Sequence, residues 1–156
     1  MKKVLLVLSL LVFFCCGVFF VGAGLAQEKA TKEECVAKVK EAVAMVKEIG
    51  LDATLAKIND AKGPFQWKDT YVFCYSLDGV MVAHPNPKLV GKKLIDLKDT
   101  NGKMYVAEFL SVANGSGEGW VSYTWPKPGE KEASPKVTYV LRVPGENVAM
   151  FAGIYE

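Results

Sequence analysis

The sequence predicts an α+β domain in which a long N-terminal helix and a short second helix pack on a five-stranded antiparallel sheet. Three observations carry this prediction. Apolar residues recur at helical spacing from Val36 to Ile49. The period changes to alternation beyond Pro64. Turn signals then divide the remaining chain into hairpin-sized strands rather than into strand–helix–strand units.

Each element follows from local chemistry. Thr31 with Glu34 three residues later forms a capping box that covers free amides of a first helical turn. Val36, Val39, Val43, Val46 and Ile49 then lie on one stripe, with Lys38, Lys40, Glu41 and Lys47 largely on the wet side. Gly50 ends this helix. A second helix is expected from Asp52 to about Asn59, burying Leu55 and Ile58 and stopped by Gly63-Pro64.

Tyr71–Leu77 reads as a strand, and Asp78-Gly79 as a two-residue hairpin turn into a strand from Val80 to His84. That register sets Tyr75 opposite Val82 and Phe73 opposite His84. One face then carries Phe73, Tyr75, Val82 and His84, and the other carries Cys74, Ser76, Met81 and Ala83. A helix near Gly102 to Ala113 and three strands, near Glu118–Trp125, Lys136–Val143 and Val148–Tyr155, complete the expectation. The first helix is expected on one face of the sheet. Residues 85–117 are expected to arch over the other.

The N-terminus sits apart. Lys2 and Lys3 precede an uncharged run from Val4 to Ala26 that ends in small residues, the pattern of a secretory signal peptide over residues 1–26. The run is also long enough to act as an uncleaved membrane anchor. Both readings place a single domain over residues 27–156 outside the cytoplasmic membrane, periplasmic or secreted. The 19 basic and 17 acidic residues differ only by those two lysines. With one Arg and no basic block, nucleic acid is not an expected partner.

Cys35 and Cys74 remain beyond the leader. An oxidising compartment favours a disulfide between them, the alternative being two small buried hydrophobes. No CxxC, CxxCH or second histidine exists, so neither a metal site nor a cofactor is written in the sequence.

Several fragments in fixed order are familiar: Tyr71-Val72-Phe73, Leu77-Asp78-Gly79, Ala83-His84-Pro85-Asn86-Pro87, Val90-Gly91-Lys92 and Asp96-Leu97-Lys98-Asp99. Gly119-Trp120-Val121, Tyr123, Trp125-Pro126, Pro135-Lys136, Tyr139, Val143-Pro144-Gly145 and Gly153-Ile154-Tyr155 follow. From about Thr31 to Tyr155 the chain resembles the single Cache domains of bacterial sensors, of the single Cache 2 type. The resemblance implies a PAS-like antiparallel sheet behind a long helix and an extracytoplasmic domain that binds small ligands, often short organic acids. Most members pass the signal to a membrane histidine kinase or chemoreceptor module. This chain stops at Glu156, directly after the last strand, so it resembles the free-standing secreted members and is expected to act without its own output module.

The ligand side is expected to include His84, which can donate to a carboxylate, and its face-mate Tyr75. Lys136 is the preferred partner for an anion, with Lys92 among the other cations near the pocket segments. Tyr123, Trp125 and Tyr139 offer apolar walls with polar tips. Lys136 and Tyr139 are three residues apart on a strand, so at most one of them points into the pocket. Asn86, between two prolines, is expected to cap local amides.

An enzyme is not expected. No Ser or Cys nucleophile sits in a recognisable setting, and Asp69, Asp78 and Asp96 read as turn or cap residues. The remaining alternative is a protein-interaction module, with the first helix or the Trp-rich strands docking on a membrane sensor.

Overall fold

Helix α1 spans Lys32–Ile49 in a computed structural model that describes residues 28–156. The expected leader falls outside the described residues, among which no helix is long and apolar enough to cross a membrane. The capping box is formed: Glu34 N donates to Thr31 Oγ1 at 3.2 Å, and Thr31 N donates to Glu34 Oε2 at 2.9 Å. The buried face is rotated slightly from the valine stripe. It holds Cys35, Val39, Ala42, Val43 and Val46, whereas Val36 is half-buried and Ile49 exposed. A real helix drifts about 20° per heptad against a seven-residue repeat, and small Cys35 and Ala42 let α1 approach the sheet closely.

Gly50, at φ 87°, turns the chain directly into α2, Leu51–Asn59. This helix buries Thr54 and Ile58, while Leu55 is only half-buried. The Thr54 hydroxyl donates to Gly50 O at 2.9 Å, which permits its burial.

The strands are β1 (Gln66–Trp67), β2 (Thr70–Ser76), β3 (Met81–Ala83), β4 (Glu118–Pro126), β5 (Ala133–Arg142) and β6 (Val148–Tyr155), with α3 (Tyr105–Asn114) between β3 and β4. They form one antiparallel sheet in the order β1-β2-β6-β5-β4, and β3 pairs with β2 off that path. The sixth strand, β1, is the departure from the five expected; two residues are too few to show alternation. Helix α1 covers β2, β5 and β6 on one face, and α3 covers β4 and β5 on the other.

The two faces make two cores. The α1 side collects Val72, Cys74, Ala83, Tyr139, Val148, Met150 and Ala152 with the helix residues. The other side is aromatic: Tyr71, Phe73, Tyr75, Tyr105, Phe109, Tyr123 and Phe151, with Met81.

The β2–β3 hairpin departs from the expected register in one place. Ser76 N donates to Val80 O at 2.9 Å, so the loop is Leu77-Asp78-Gly79, three residues with Gly79 at φ 89°. Tyr75 therefore faces Met81, not Val82. A register shift between Tyr75 and Cys74 then restores the expected pairing of Cys74 with Ala83. Met81 belongs to the aromatic face, Val82 packs against the α1 core, and His84 still reaches the aromatic side. Gly79 is required twice over, since a Cβ there would lie 2.8 Å from Ile95 Cβ.

The expected Cys35–Cys74 disulfide is not formed. Both thiols are free and fully buried in the α1-side core. Burial pushes the Cys35 thiol up to about 12 and Cys74 higher still. They pack as small hydrophobes.

Candidate ligand-binding site

The aromatic face ends in a cluster of polar tips around Lys136. In β5, Lys136, Thr138 and Val140 point to this face, and Val137, Tyr139 and Leu141 to the α1 side, as strand alternation requires. Lys136 pairs with Tyr155 of β6 and Tyr123 of β4. Its side chain runs across β6 toward β2, and Gly153 leaves the space for it. A Cβ at Gly153 would lie 2.2 Å from Thr138 Oγ1 and 2.9 Å from Lys136 Cε.

The Lys136 ammonium is buried, with 1 % of the residue exposed. Nζ donates to Tyr155 Oη at 3.2 Å and lies 4.5 Å from the ring centroids of both Tyr71 and Tyr155. Tyr155 Oη in turn donates to Pro126 O at 2.8 Å. No carboxylate comes within ion-pair distance of Lys136 among the described residues. Burial pulls its pKa from 10.5 down to about 7, opposed by the weaker influence of Cys35 and Asp69.

His84 closes the same end of the sheet. Its backbone N donates to Asn59 Oδ1 at 2.8 Å, fastening β3 to the last turn of α2. Its Nδ1 accepts from Asn86 N at 2.8 Å, which leaves the proton on Nε2 as a donor. The ring meets Tyr71 edge-on with centroids 4.7 Å apart. Burial, and then the nearby Lys136 charge, lower its pKa to about 3, so the imidazole is neutral at physiological pH. Asn86 Oδ1 accepts from Lys88 N at 3.1 Å, the local cap its setting predicted.

Two cavities meet at this end. An inner one of about 10 Å³ is walled by Tyr71, Phe73, Tyr75, Met81, His84, Tyr105, Tyr123 and Trp125. An outer one of about 400 Å³ shares Tyr71, His84 and Trp125 and extends along Gln66, Leu89 and the loop Pro126–Glu130. The inner walls are mostly apolar carbon with a few hydroxyls: Tyr123 Oη is 3.2 Å from Thr138 Oγ1, and burial raises the Tyr71 hydroxyl to about 12 with Tyr155 and Trp125 as hydrogen-bonding neighbours. Neutral donors and an apolar wall that open into the larger outer cavity suit a small anion with a short carbon tail.

Of the residues expected at the site, His84, Tyr75, Tyr123 and Trp125 wall the inner cavity, whereas Lys136 lines neither cavity and its ammonium lies against the ring of Tyr71. Tyr139 and Lys92 do not belong to it. Tyr139 faces α1, packs on Trp120 with centroids 5.3 Å apart and donates to Glu118. Alternation resolved the Lys136–Tyr139 choice in favour of the lysine. Lys92 is exposed, and its backbone carbonyl accepts from Met81 N at 2.9 Å while its N donates to Leu89 O at 3.2 Å. Tyr71, Met81, Tyr105 and Tyr155 were missed. Tyr71 shares strand parity with Phe73 and Tyr75, and that signal was available. Tyr105 reaches the cavity from α3, stacked on Tyr123 at 4.5 Å, through a contact between distant segments.

A family profile described as Cache domain matches residues 25–156. The chain belongs to the Cache domain family. A sensor histidine kinase, MctS of Rhizobium johnstonii, is 30% identical over 89 residues, and a methyl-accepting chemotaxis protein, McpP of Pseudomonas putida, is 36% identical over 73. These matches cover 56% and 46% of this chain but only 19% and 13% of the relatives, whose sequences are much longer.

Among solved structures, a Cache chemosensory domain studied for carboxylic acid recognition is similar over 79% of this chain and 91% of its own, with TM-score 0.70 and 27% identity. A methyl-accepting chemotaxis protein from Vibrio parahaemolyticus gives TM-score 0.66 at 29% identity, covering 80% and 87%. A periplasmic sensor domain of a chemotaxis protein gives 0.64 at 28%, covering 79% and 88%. The single sheet with α1 on one face is thus a single Cache domain, a sensory fold of chemoreceptors and histidine kinases.

Proposed function

We propose that this Cache domain binds a short carboxylate outside the cytoplasmic membrane and supplies that signal to a histidine kinase or chemoreceptor. One observation carries the reading: a buried amine, Lys136, has no acidic partner among the described residues, bonds the Tyr155 hydroxyl and lies against the ring of Tyr71, which with His84 walls a small apolar cavity. A buried cation left without a counter-charge is costly. A bound carboxylate supplies the missing charge and accepts the available donors. Similarity to a domain studied for carboxylic acid recognition supports the same ligand class.

Thermal-shift measurements with C2–C4 carboxylates, amino acids and purines test this. A rise in Tm with the carboxylates alone is expected, because a ligand that binds only the native state stabilises it. Stabilisation by purines and not by any acid rejects the assignment.

A docking role has one observation in its favour. Trp120 is 37% exposed beside Lys32, Val36, Ala37 and Lys40 of α1. Co-purification with a membrane sensor that depends on Trp120, without any carboxylate effect, would favour that second reading.

A further inference from the structure

Among the described residues Lys68 is the one non-glycine with a positive φ, 46°. It opens the two-residue turn Lys68-Asp69 between β1 and β2, with Trp67 paired to Thr70 and Gln66 to Tyr71. Glycine adopts such a conformation freely and lysine does not, so a lysine here is held for its side chain. That side chain grips the lead-in to α1. Its Nζ donates to Glu34 Oε1 at 2.7 Å and lies 3.5 Å from Glu28 Oε1. Asp69, only 7 % exposed, accepts from the buried Ala30 amide at 2.8 Å. Within the described residues, the polar contacts of residues 28–30 therefore all run to this turn. Its other end belongs to the ligand site. Tyr71 walls both cavities, and the Lys136 ammonium lies 4.5 Å from its ring centroid. The buried Thr70 hydroxyl donates to Gly153 O, on the strand that Lys136 crosses.

We propose that the Lys68-Asp69 turn is a latch that carries ligand occupancy from the Tyr71 wall to the lead-in at residues 28–30. This rests on the carboxylate reading and adds the route by which a bound acid is reported to the chain preceding α1. A ligand against Tyr71 orders β1, β2 and the turn between them, so Ala30 is held. With the site empty the turn opens more often and the lead-in is released. The strained backbone at Lys68 narrows the free-energy gap between the held and released forms, which lets a small ligand shift their balance.

Amide hydrogen exchange on the full chain, with and without saturating acetate or propionate, reads the latch at Ala30. A bound acid is expected to slow exchange of the Ala30 amide about fivefold or more. Gly115, whose amide donates to Ser111 O at the far end of α3, should keep its rate. Coupling between two sites is reciprocal, so loosening the latch should weaken acid binding by a similar factor in calorimetry. Lys68→Gln removes the cation and keeps the strain. Ala30→Pro deletes the amide donor without changing any charge near Lys136, and so separates the latch from simple electrostatics. An acid that binds while Ala30 exchange stays the same overturns the latch and leaves the carboxylate reading standing. Equal slowing at Ala30 and Gly115 also overturns it, since that is general stabilisation. So does wild-type affinity in both variants. If neither acid binds the wild type, both readings fall together.

Discussion

If a carboxylate is the ligand, Lys136 is expected to give ligand-free stability and ligand affinity opposite dependences on pH. Its folded pKa of about 7 lies below the ordinary 10.5. Between these values the unfolded chain holds a proton that the folded chain has released, so stability without ligand rises with pH across that window. A carboxylate prefers the ammonium form, so affinity should be flat below about pH 7 and fall by up to about tenfold per unit above it. His84 acts on the acid side. Its folded pKa of about 3 lies below the ordinary 6.5, so the unfolded chain binds the extra proton between them. Stability is therefore expected to fall as pH drops from 6.5 toward 3, with a slope of at most about 1.4 kcal/mol per unit. Melting curves from pH 3 to 10 check both: His84→Gln should flatten the acid limb, and Lys136→Met the alkaline one. An acid limb unchanged in His84→Gln would mean that another group titrates there.

At the scale of elements, the site depends on how β6 lets a β5 side chain cross it. Gly153 has ordinary strand neighbours, Ala152 and Ile154, and pairs with Thr138. Its missing Cβ is what allows Lys136 and Thr138 to occupy the sheet surface. Gly153→Ala is expected to displace both side chains, destabilise the domain by about 1–3 kcal/mol and weaken carboxylate binding, read by denaturant titration and calorimetry. Ligand affinity preserved in this variant would show that Lys136 needs no clear path over β6.

The hairpin shows where local reading stops. Alternation placed His84 on the aromatic face correctly, yet it gave Val82 the position that Met81 occupies. Asp-Gly suits a two-residue turn and also the end of a three-residue one, and the compensating shift beside Tyr75 has no signature in a period-two pattern. The helices were more legible, because caps and periodicity act within a few residues. The exposure of Ile49 and the burial of Cys35 depend instead on how α1 meets the sheet.

Across the whole molecule, under the proposed carboxylate reading, the sheet separates structure from recognition. Its α1 side is a packed aliphatic core that holds both free cysteines, and its other side is an aromatic layer closed by α3 and by residues 85–104. This two-sided plan was visible in the sequence, because each strand buries alternate residues against a different partner. The cavity was only half visible. Tyr71 and Tyr155 become site residues through the pairing of β2, β6 and β5, and Tyr105 through the folding of α3 over Tyr123. The disulfide inference failed at this scale too: both cysteines share a core, but packing rather than cross-linking occupies them.

The division also separates stability from binding. A buried, unpaired lysine serves the fold poorly, and an apolar side chain of similar length serves it as well or better. Lys136→Met therefore gives the most direct measurement. Wild type and variant are titrated calorimetrically with acetate and propionate at pH 6.5, and both are melted without ligand. The variant is expected to melt at the same or a higher temperature and to show no carboxylate binding. A variant that still binds acetate with wild-type affinity would contradict the assignment of Lys136 as the anion's counter-charge.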